Sequence, residues 1–98
     1  MARQLVVQPQ SGLDIQAAAV WYEDQRSGLG ARFLDELDLV FQRIKDNPLQ
    51  FPSVEGDVHR SLLNHFPYGV YFLAESDDIR ILAVLHLHRE PDMWKSRN

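Results

Sequence analysis

Residues 58–94 constrain the fold most, because they read as three consecutive strands and hold all four histidines. Residues 69–74 and 79–85 are rich in β-branched, aromatic and aliphatic side chains. The short polar stretch 75–78 between them is typical of a hairpin turn. The second segment is apolar at nearly every position, which indicates a strand covered on both faces. This hairpin is therefore predicted to form the centre of a small sheet.

The sequence of the first half of the chain predicts a short strand and then a helix. The helix belongs to the layer that packs over this sheet. Residues 4–8 form the strand, which Pro9 ends. A helix follows over residues 12–25, with Ser11 as its N-cap and Asp14 reaching back in a variant of the capping box. We expect one side of this helix to enter the core through Leu13, Ala17, Val20 and Trp21, with Ala18 and Tyr22 beside them.

A second helix is predicted over residues 29–46, after a turn that holds Gly28 and Gly30. Its apolar residues recur at three- and four-residue spacing and form one stripe: Phe33, Leu37, Val40, Phe41 and Ile44. Asn47 and Pro48 end it.

Residues 49–57 are expected to form a loop, and residues 59–63 the next strand. The predicted order is therefore β-α-α-β-β-β, in a single domain over residues 1–98. This is a two-layer α+β fold, in which a helix hairpin covers one face of a largely antiparallel small sheet.

Composition excludes several classes of function. The chain has no cysteine, so it has no disulfide, thiolate metal site or cysteine nucleophile. Its net charge of −4 argues against non-specific binding to nucleic acid. Its longest apolar run, residues 81–85, is too short to cross a bilayer, and no signal-peptide pattern precedes it, so we expect a cytoplasmic protein without membrane contact.

The charge is uneven along the chain. Residues 1–58 hold nine acids and five bases, whereas residues 59–98 hold five of each and the four histidines. An anion-binding surface is therefore expected in the second half. Alternatively, the asymmetry reflects solvated helix faces in the first half.

Histidines give the sequence its few hints of chemistry. His86 and His88 lie on one face of a strand and could begin a zinc site, with His59 or His65 as a third ligand. However, no HExxH motif accompanies them, and the chain also lacks a GxSxG elbow and a Walker loop. We therefore predict no metal ion and no cofactor.

Strand alternation from Arg80 onward predicts two different faces. The apolar face, with Ile81, Ala83, Leu85 and Leu87, is expected to meet the helices. The mixed face would then be open, and its exposed groove would suit a partner peptide. Its residues are Arg80, Leu82, Val84, His86 and His88. The alternative is that the C-terminal tail folds back over this face through Met93 and Trp94.

Five segments together resemble the ParE branch of the RelE/ParE toxin superfamily, across nearly the whole chain. These are residues 19–23 (AVWYE), 28–34 (GLGARFL), 47–48 (NP), 66–71 (FPYGVY) and 82–94 (LAVLHLHREPDMW). The resemblance implies the fold derived above and the toxin of a type II toxin–antitoxin (plasmid stabilisation) system. It also implies a cognate antitoxin, a small protein with a DNA-binding N-terminal part and a C-terminal segment that wraps the toxin.

The resemblance implies two alternative activities. RelE-like members cut messenger RNA on the ribosome, and Arg89 lies where such members carry a catalytic arginine, with His86 and Arg60 as further candidates. However, His59 and Ser61 lie where lysines are expected, Tyr68 replaces another arginine, and Trp94, near the place of a tyrosine, cannot exchange a proton.

ParE-like members inhibit DNA gyrase and need no catalytic residue, so we expect this activity and no enzyme. A third alternative is a degenerate, non-toxic binding protein. We expect Arg80, Leu82, Val84, His86 and His88 to bind the antitoxin. Arg60, Arg89 and Trp94 are expected to contact the target, although packing of Trp94 onto the sheet is the alternative for that residue. No direct nucleic-acid binding is expected of the chain alone.

Overall fold

The computed structural model describes residues 3–98, in which two helices pack against a five-stranded sheet. The elements are β1 (Gln4–Val7), α1 (Pro9–Gln25), α2 (Leu29–Asp46), β2 (Ser53–Glu55), β3 (Val58–Leu62), β4 (Tyr68–Ala74) and β5 (Asp78–His86). The strand order is β1-β5-β4-β3-β2, with β1 parallel to β5 and the other neighbours antiparallel. The α+β fold predicted from the sequence is confirmed. Neither helix is both long and apolar enough to cross a bilayer.

Two element boundaries differ from the prediction. α1 begins at Pro9 rather than at Gly12, since proline lacks an N–H group and is well tolerated in the first turn of a helix. The predicted loop over residues 49–57 contains the short edge strand β2. Its turn is closed by Ser53, whose Oγ donates to the Gly56 carbonyl over 2.7 Å. A three-residue strand is too short to show a hydrophobic period.

The turn between the helices depends on Glu23 and on two glycines. The Glu23 carboxylate accepts hydrogen bonds from the backbone N–H groups of Gly28 and Gly30, over 2.9 and 3.1 Å. Gly28 has a φ of 90°, which favours glycine. A Cβ atom at Gly30 would lie 2.6 Å from the Ala19 carbonyl oxygen. The helices therefore approach closely at this point, and α2 buries its predicted stripe beneath an aromatic cluster around Tyr22 and Phe66.

A β-bulge in β5 reverses the alternation of its side chains. Tyr71 pairs with Ala83 and Phe72 with Ile81, so Leu82 has no partner of its own in β4. Ile81 and the residues before it on the same face pack under the helices. Beyond the bulge Val84 takes that side instead, while Leu82, Ala83 and Leu85 pack on the opposite face. The predicted division of β5 into faces is therefore correct as far as Leu82 and wrong from Ala83 onward.

Three polar side chains, which we call the bulge clamp, bind backbone groups of β5 at and beside the bulge. Ser11 Oγ donates to the Ile81 carbonyl over 2.7 Å, and Asp14 Oδ2 accepts from the Val84 N–H over 3.0 Å. Arg97 donates to both Asp14 carboxylate oxygens, over 2.5 and 3.1 Å, and to the Leu82 carbonyl over 3.2 Å. The complete clamp is Ser11, Asp14 and Arg97. Both α1 residues thus join the helix to β5, and their predicted capping role is wrong.

The second face of the sheet is covered by the C-terminal segment, a 3₁₀ helix over Met93–Arg97. Trp94 is 5% exposed and stacks on Tyr71, with ring centroids 5.6 Å apart and planes 15° from parallel. The alternative that the tail folds back over this face is confirmed. The exposed groove expected at Leu82 and Val84 is wrong, because these side chains are 2% and 1% exposed and lie on opposite faces.

Glu36 of α2 holds the turn that leads into β4. Its carboxylate accepts from the backbone N–H groups of Asn64 and His65, over 2.6 and 3.0 Å, and lies 2.6 Å from His65 Nδ1. Burial alone would raise the pKa of Glu36, but these hydrogen bonds lower it on balance. The turn is therefore tied to α2 by an ionised carboxylate.

We expect Arg97→Ala to lower the free energy of unfolding by about 2–4 kcal/mol, since it removes the ion pair of the largely buried Asp14 carboxylate and the hydrogen bond to the Leu82 carbonyl. The control is Arg80→Ala, which removes a half-exposed ion pair with Glu75 and should cost less than about 1 kcal/mol. Urea unfolding of both variants measures the difference. Equal losses in the two variants would contradict the role given to Arg97.

Candidate functional site

The carboxyl end of β5 and the side of α1 enclose a cleft of about 310 Å³. We call it the Arg89 cleft, and its lining includes Trp21, Tyr68, His86 and Arg89, with the carboxylates of Asp14 and Glu90 beside them. Arg89 follows β5 and turns back toward the helix, so that its guanidinium carbon lies 5.4 Å from the centroid of the Trp21 ring. Burial raises the pKa of the Tyr68 hydroxyl, while the nearby charge of Arg89 acts in the opposite direction. The cleft therefore combines a cation with two aromatic walls.

His86 lies on the rim of the cleft as a neutral base. Its ring makes an edge contact with Tyr68 at a centroid distance of 5.3 Å, and its Nδ1 accepts from the backbone N–H of His88 over 3.1 Å. Burial lowers the pKa of His86, and the charges of Arg89 and His88 lower it further, while the charge of Glu90 acts in the opposite direction without reversing the shift. The imidazole is therefore uncharged at neutral pH, with its proton on Nε2.

Arg60 lies on the other face of the sheet. It pairs in register with Tyr71, which packs against Trp94, and its aliphatic stem crosses Gly69. A Cβ atom at Gly69 would lie 3.1 Å from Leu87 Cδ2 and 3.2 Å from Arg60 Cδ, so glycine lets both side chains pass close to the backbone here. The three candidates for ribonuclease chemistry do not converge, because Arg89 and His86 lie on the helix side of the sheet.

Two other residues predicted to bind a partner, Arg80 and Trp94, lie away from the Arg89 cleft. Arg80 is at the start of β5, where its Nε lies 2.6 Å from Glu75 Oε1, and His86 is at the opposite end of the strand. Trp94 is buried in the second core cluster. The expectation of an exposed Trp94 that contacts a target is therefore wrong, and its alternative, packing onto the sheet, is confirmed.

The remaining histidines make structural contacts. His59 stacks on Phe72 at 5.6 Å, and its Nδ1 lies 2.8 Å from the Phe51 carbonyl. His65 is held by Glu36. Neither joins the pair formed by His86 and His88, whose rings are 5.8 Å apart. Over residues 3–98, no cluster of three or more histidine and acidic side chains is placed to hold a metal ion.

The outer side of α1 carries an exposed apolar surface that the sequence placed in the core. We call it the α1 stripe: Leu13, Ala17, Val20 and Trp21. The side chains of Leu13, Val20 and Trp21 are 65%, 54% and 45% exposed. The helix packs inward through the opposite side, with Ser11, Ala18 and Tyr22. The buried side contains the bulge clamp, whose polar residues a periodicity argument assigns to solvent.

We expect the His86 imidazole to titrate below 6.5 and Arg89→Ala to raise its pKa, because the variant removes a neighbouring positive charge. The imidazole proton chemical shifts, followed by NMR over a pH series, measure this pKa. Arg80→Ala removes an arginine at the other end of β5 and is the matched control. An unchanged His86 pKa in Arg89→Ala would contradict the cleft geometry.

Comparisons with known proteins identify the fold. No protein-family model matches the sequence, and no curated protein matches it. Among solved structures, it is similar to a chain in the structure described as the chromosomal ParDE TA system from P. aeruginosa. The two are 16% identical, with a TM-score of 0.77 over 87% of this chain and 96% of the other. The architecture described here is therefore the fold of that chain.

Proposed function

We propose that this protein is the ParE-like toxin of a type II toxin–antitoxin system, neutralised by a cognate antitoxin and directed in the cytoplasm against DNA gyrase. The observation that carries the proposal is the similarity in fold to a chain of a ParDE system over nearly all of that chain. The residues that resemble the ParE branch run through both helices and the central hairpin, which agrees with a likeness over the whole fold.

The alternative, a ribosome-dependent ribonuclease, has weaker support from the geometry. Cleavage of RNA by this route needs cations that stabilise the phosphate and a group that activates the ribose 2′-hydroxyl. Arg89 and His86 are together, but Arg60 is on the other face. The resemblance implies lysines at the positions of His59 and Ser61. His59 is partly buried, Ser61 is buried, and neither carries a permanent charge. The proposal therefore assigns no catalytic residue.

The antitoxin surface that we propose differs from the groove predicted from the sequence. Leu82 and Val84 are buried, so they leave the proposed set. His86 and His88 remain, beside Arg89, on the rim of the Arg89 cleft. Arginine binds carboxylates strongly and in a defined geometry, so an antitoxin segment with acidic side chains suits this rim. Arg80 remains as a separate contact at the other end of β5.

The proposed contacts with the target use Arg60 and Arg89, the two arginines of residues 59–98 that neither form part of the clamp nor pair at the β4–β5 turn. Arg89 is exposed at the cleft, and Arg60 is half-buried on the opposite face. Gyrase inhibition by binding needs no convergence of these side chains at one point, whereas phosphate chemistry does. The placement of the two arginines on different faces is therefore compatible with binding.

We expect growth arrest when this chain is produced alone in bacteria, with loss of plasmid supercoiling and DNA breaks, and relief when the product of the adjacent gene is produced with it. Arg89→Ala should weaken binding of that product by about tenfold or more, as for removal of an arginine anchor. Arg43→Ala is the matched control for this affinity, because Arg43 is an exposed arginine on α2 outside the proposed surfaces.

Two outcomes would overturn the proposal. Translation arrest with cleaved messages, abolished by Arg89→Ala, would assign the ribonuclease activity instead. Normal growth at high levels of folded protein would identify the chain as a non-toxic binding protein, an alternative that its acidic composition favours.

A further inference from the structure

α1 is apolar on two sides, and the protein itself covers one of them. The inner side packs through Ala18 and Tyr22. The outer side carries the α1 stripe along a shallow groove of about 600 Å³, with Gln16 and Asp24 at its margin. A helix that is apolar all round is normally buried all round. The stripe is therefore a surface suited to a partner helix.

We propose that the partner is a second copy of this chain, whose α1 packs antiparallel against the stripe in a symmetric dimer. The stripe is self-complementary about Ala17, because Leu13 and Trp21 lie four residues to either side of it. In a two-fold antiparallel pair, Leu13 meets Trp21 of the second copy. The two small Ala17 residues meet at the axis, so the helix backbones can approach closely there.

The distribution of charge on α1 favours this occupant and this direction. The first turn of α1 contains no acid and its N-cap residue makes no side-chain hydrogen bond, while its last turn contains no base and carries Asp24. Neither end of α1 therefore carries the side-chain charge that the helix dipole favours within one chain. An antiparallel copy corrects both ends, because Asp24 then lies beside Gln10 and the positive N-terminal turn of the second copy. A parallel copy would place the two Asp24 carboxylates together.

The dimer is independent of the proposed toxin activity, since it rests on the shape and charge of α1. Leu13, Ala17 and Trp21 belong to both the stripe and the lining of the Arg89 cleft, so the second copy would lie at the edge of the cleft. Measurements on the purified chain, without antitoxin or target, therefore test the dimer separately from the function.

Sedimentation equilibrium over a range of protein concentrations tests the dimer. We expect the wild-type chain to show a monomer–dimer equilibrium, and Val20→Asp to raise the dissociation constant by about tenfold or more. Leu39→Asp is the matched control, because Leu39 is an equally exposed leucine on α2, 58% exposed, and lies outside the stripe. This control should leave the dissociation constant unchanged.

A charge exchange tests the antiparallel register. Asp24→Arg and Gln10→Glu should each weaken the dimer, because each places like charges or an unfavourable dipole contact across the interface. Combined in one chain, the two changes should restore association, since the introduced arginine of one copy then meets the introduced glutamate of the other. Each single change improves the fit of charge to the helix dipole within the monomer, so weaker association cannot come from a less stable fold.

A chain that is monomeric at all concentrations would overturn the proposal, as would equal effects of Val20→Asp and Leu39→Asp. Failure of the double variant to associate would overturn the antiparallel arrangement. If the chain is monomeric and Val20→Asp weakens binding of the antitoxin instead, the stripe belongs to the antitoxin and not to a second copy.

Discussion

The bulge clamp is the interaction on which the rest of the structure depends. A bulge in a central strand frees backbone groups inside the protein, and each must find a partner or cost free energy. Ser11 and Asp14 supply partners from α1, and Arg97 supplies one from the C-terminal segment. One polar cluster therefore fixes the helix, the central sheet and the tail relative to one another. It joins residues 83 positions apart in the sequence.

The clamp also decides which residues are available for function. Because the side chains of β5 change faces at Leu82, Val84 enters the main core and Leu85 lies under the C-terminal segment. Trp94 closes the face that the uninterrupted alternation leaves open. The Arg89 cleft at one end of β5 and the outer side of α1 remain accessible. A partner would therefore meet these surfaces more readily than the covered middle of the sheet.

The sequence predicted the fold because its main signals are local. The stripe from Phe33 to Ile44 defines α2, and the turn at residues 75–78 defines the hairpin, without reference to distant contacts. The bulge at Leu82 leaves no such local mark, so the two faces of β5 were assigned incorrectly beyond it. The buried and exposed sides of α1 are also predicted the wrong way round, for a related reason. Asp14 reads as a solvated cap until Arg97 and the Val84 amide are brought to it.

Amide hydrogen exchange at Val84 tests the role of the clamp most directly, because its N–H donates to Asp14 rather than to another strand. In Asp14→Ala this amide loses its acceptor, a loss of about 1–3 kcal/mol that corresponds to roughly tenfold faster exchange or more. The ratio of the Val84 rate to that of Val70, its neighbour in β4, removes any effect of global unfolding. We predict a large increase in this ratio. An unchanged ratio would show that Asp14 does not hold the bulge.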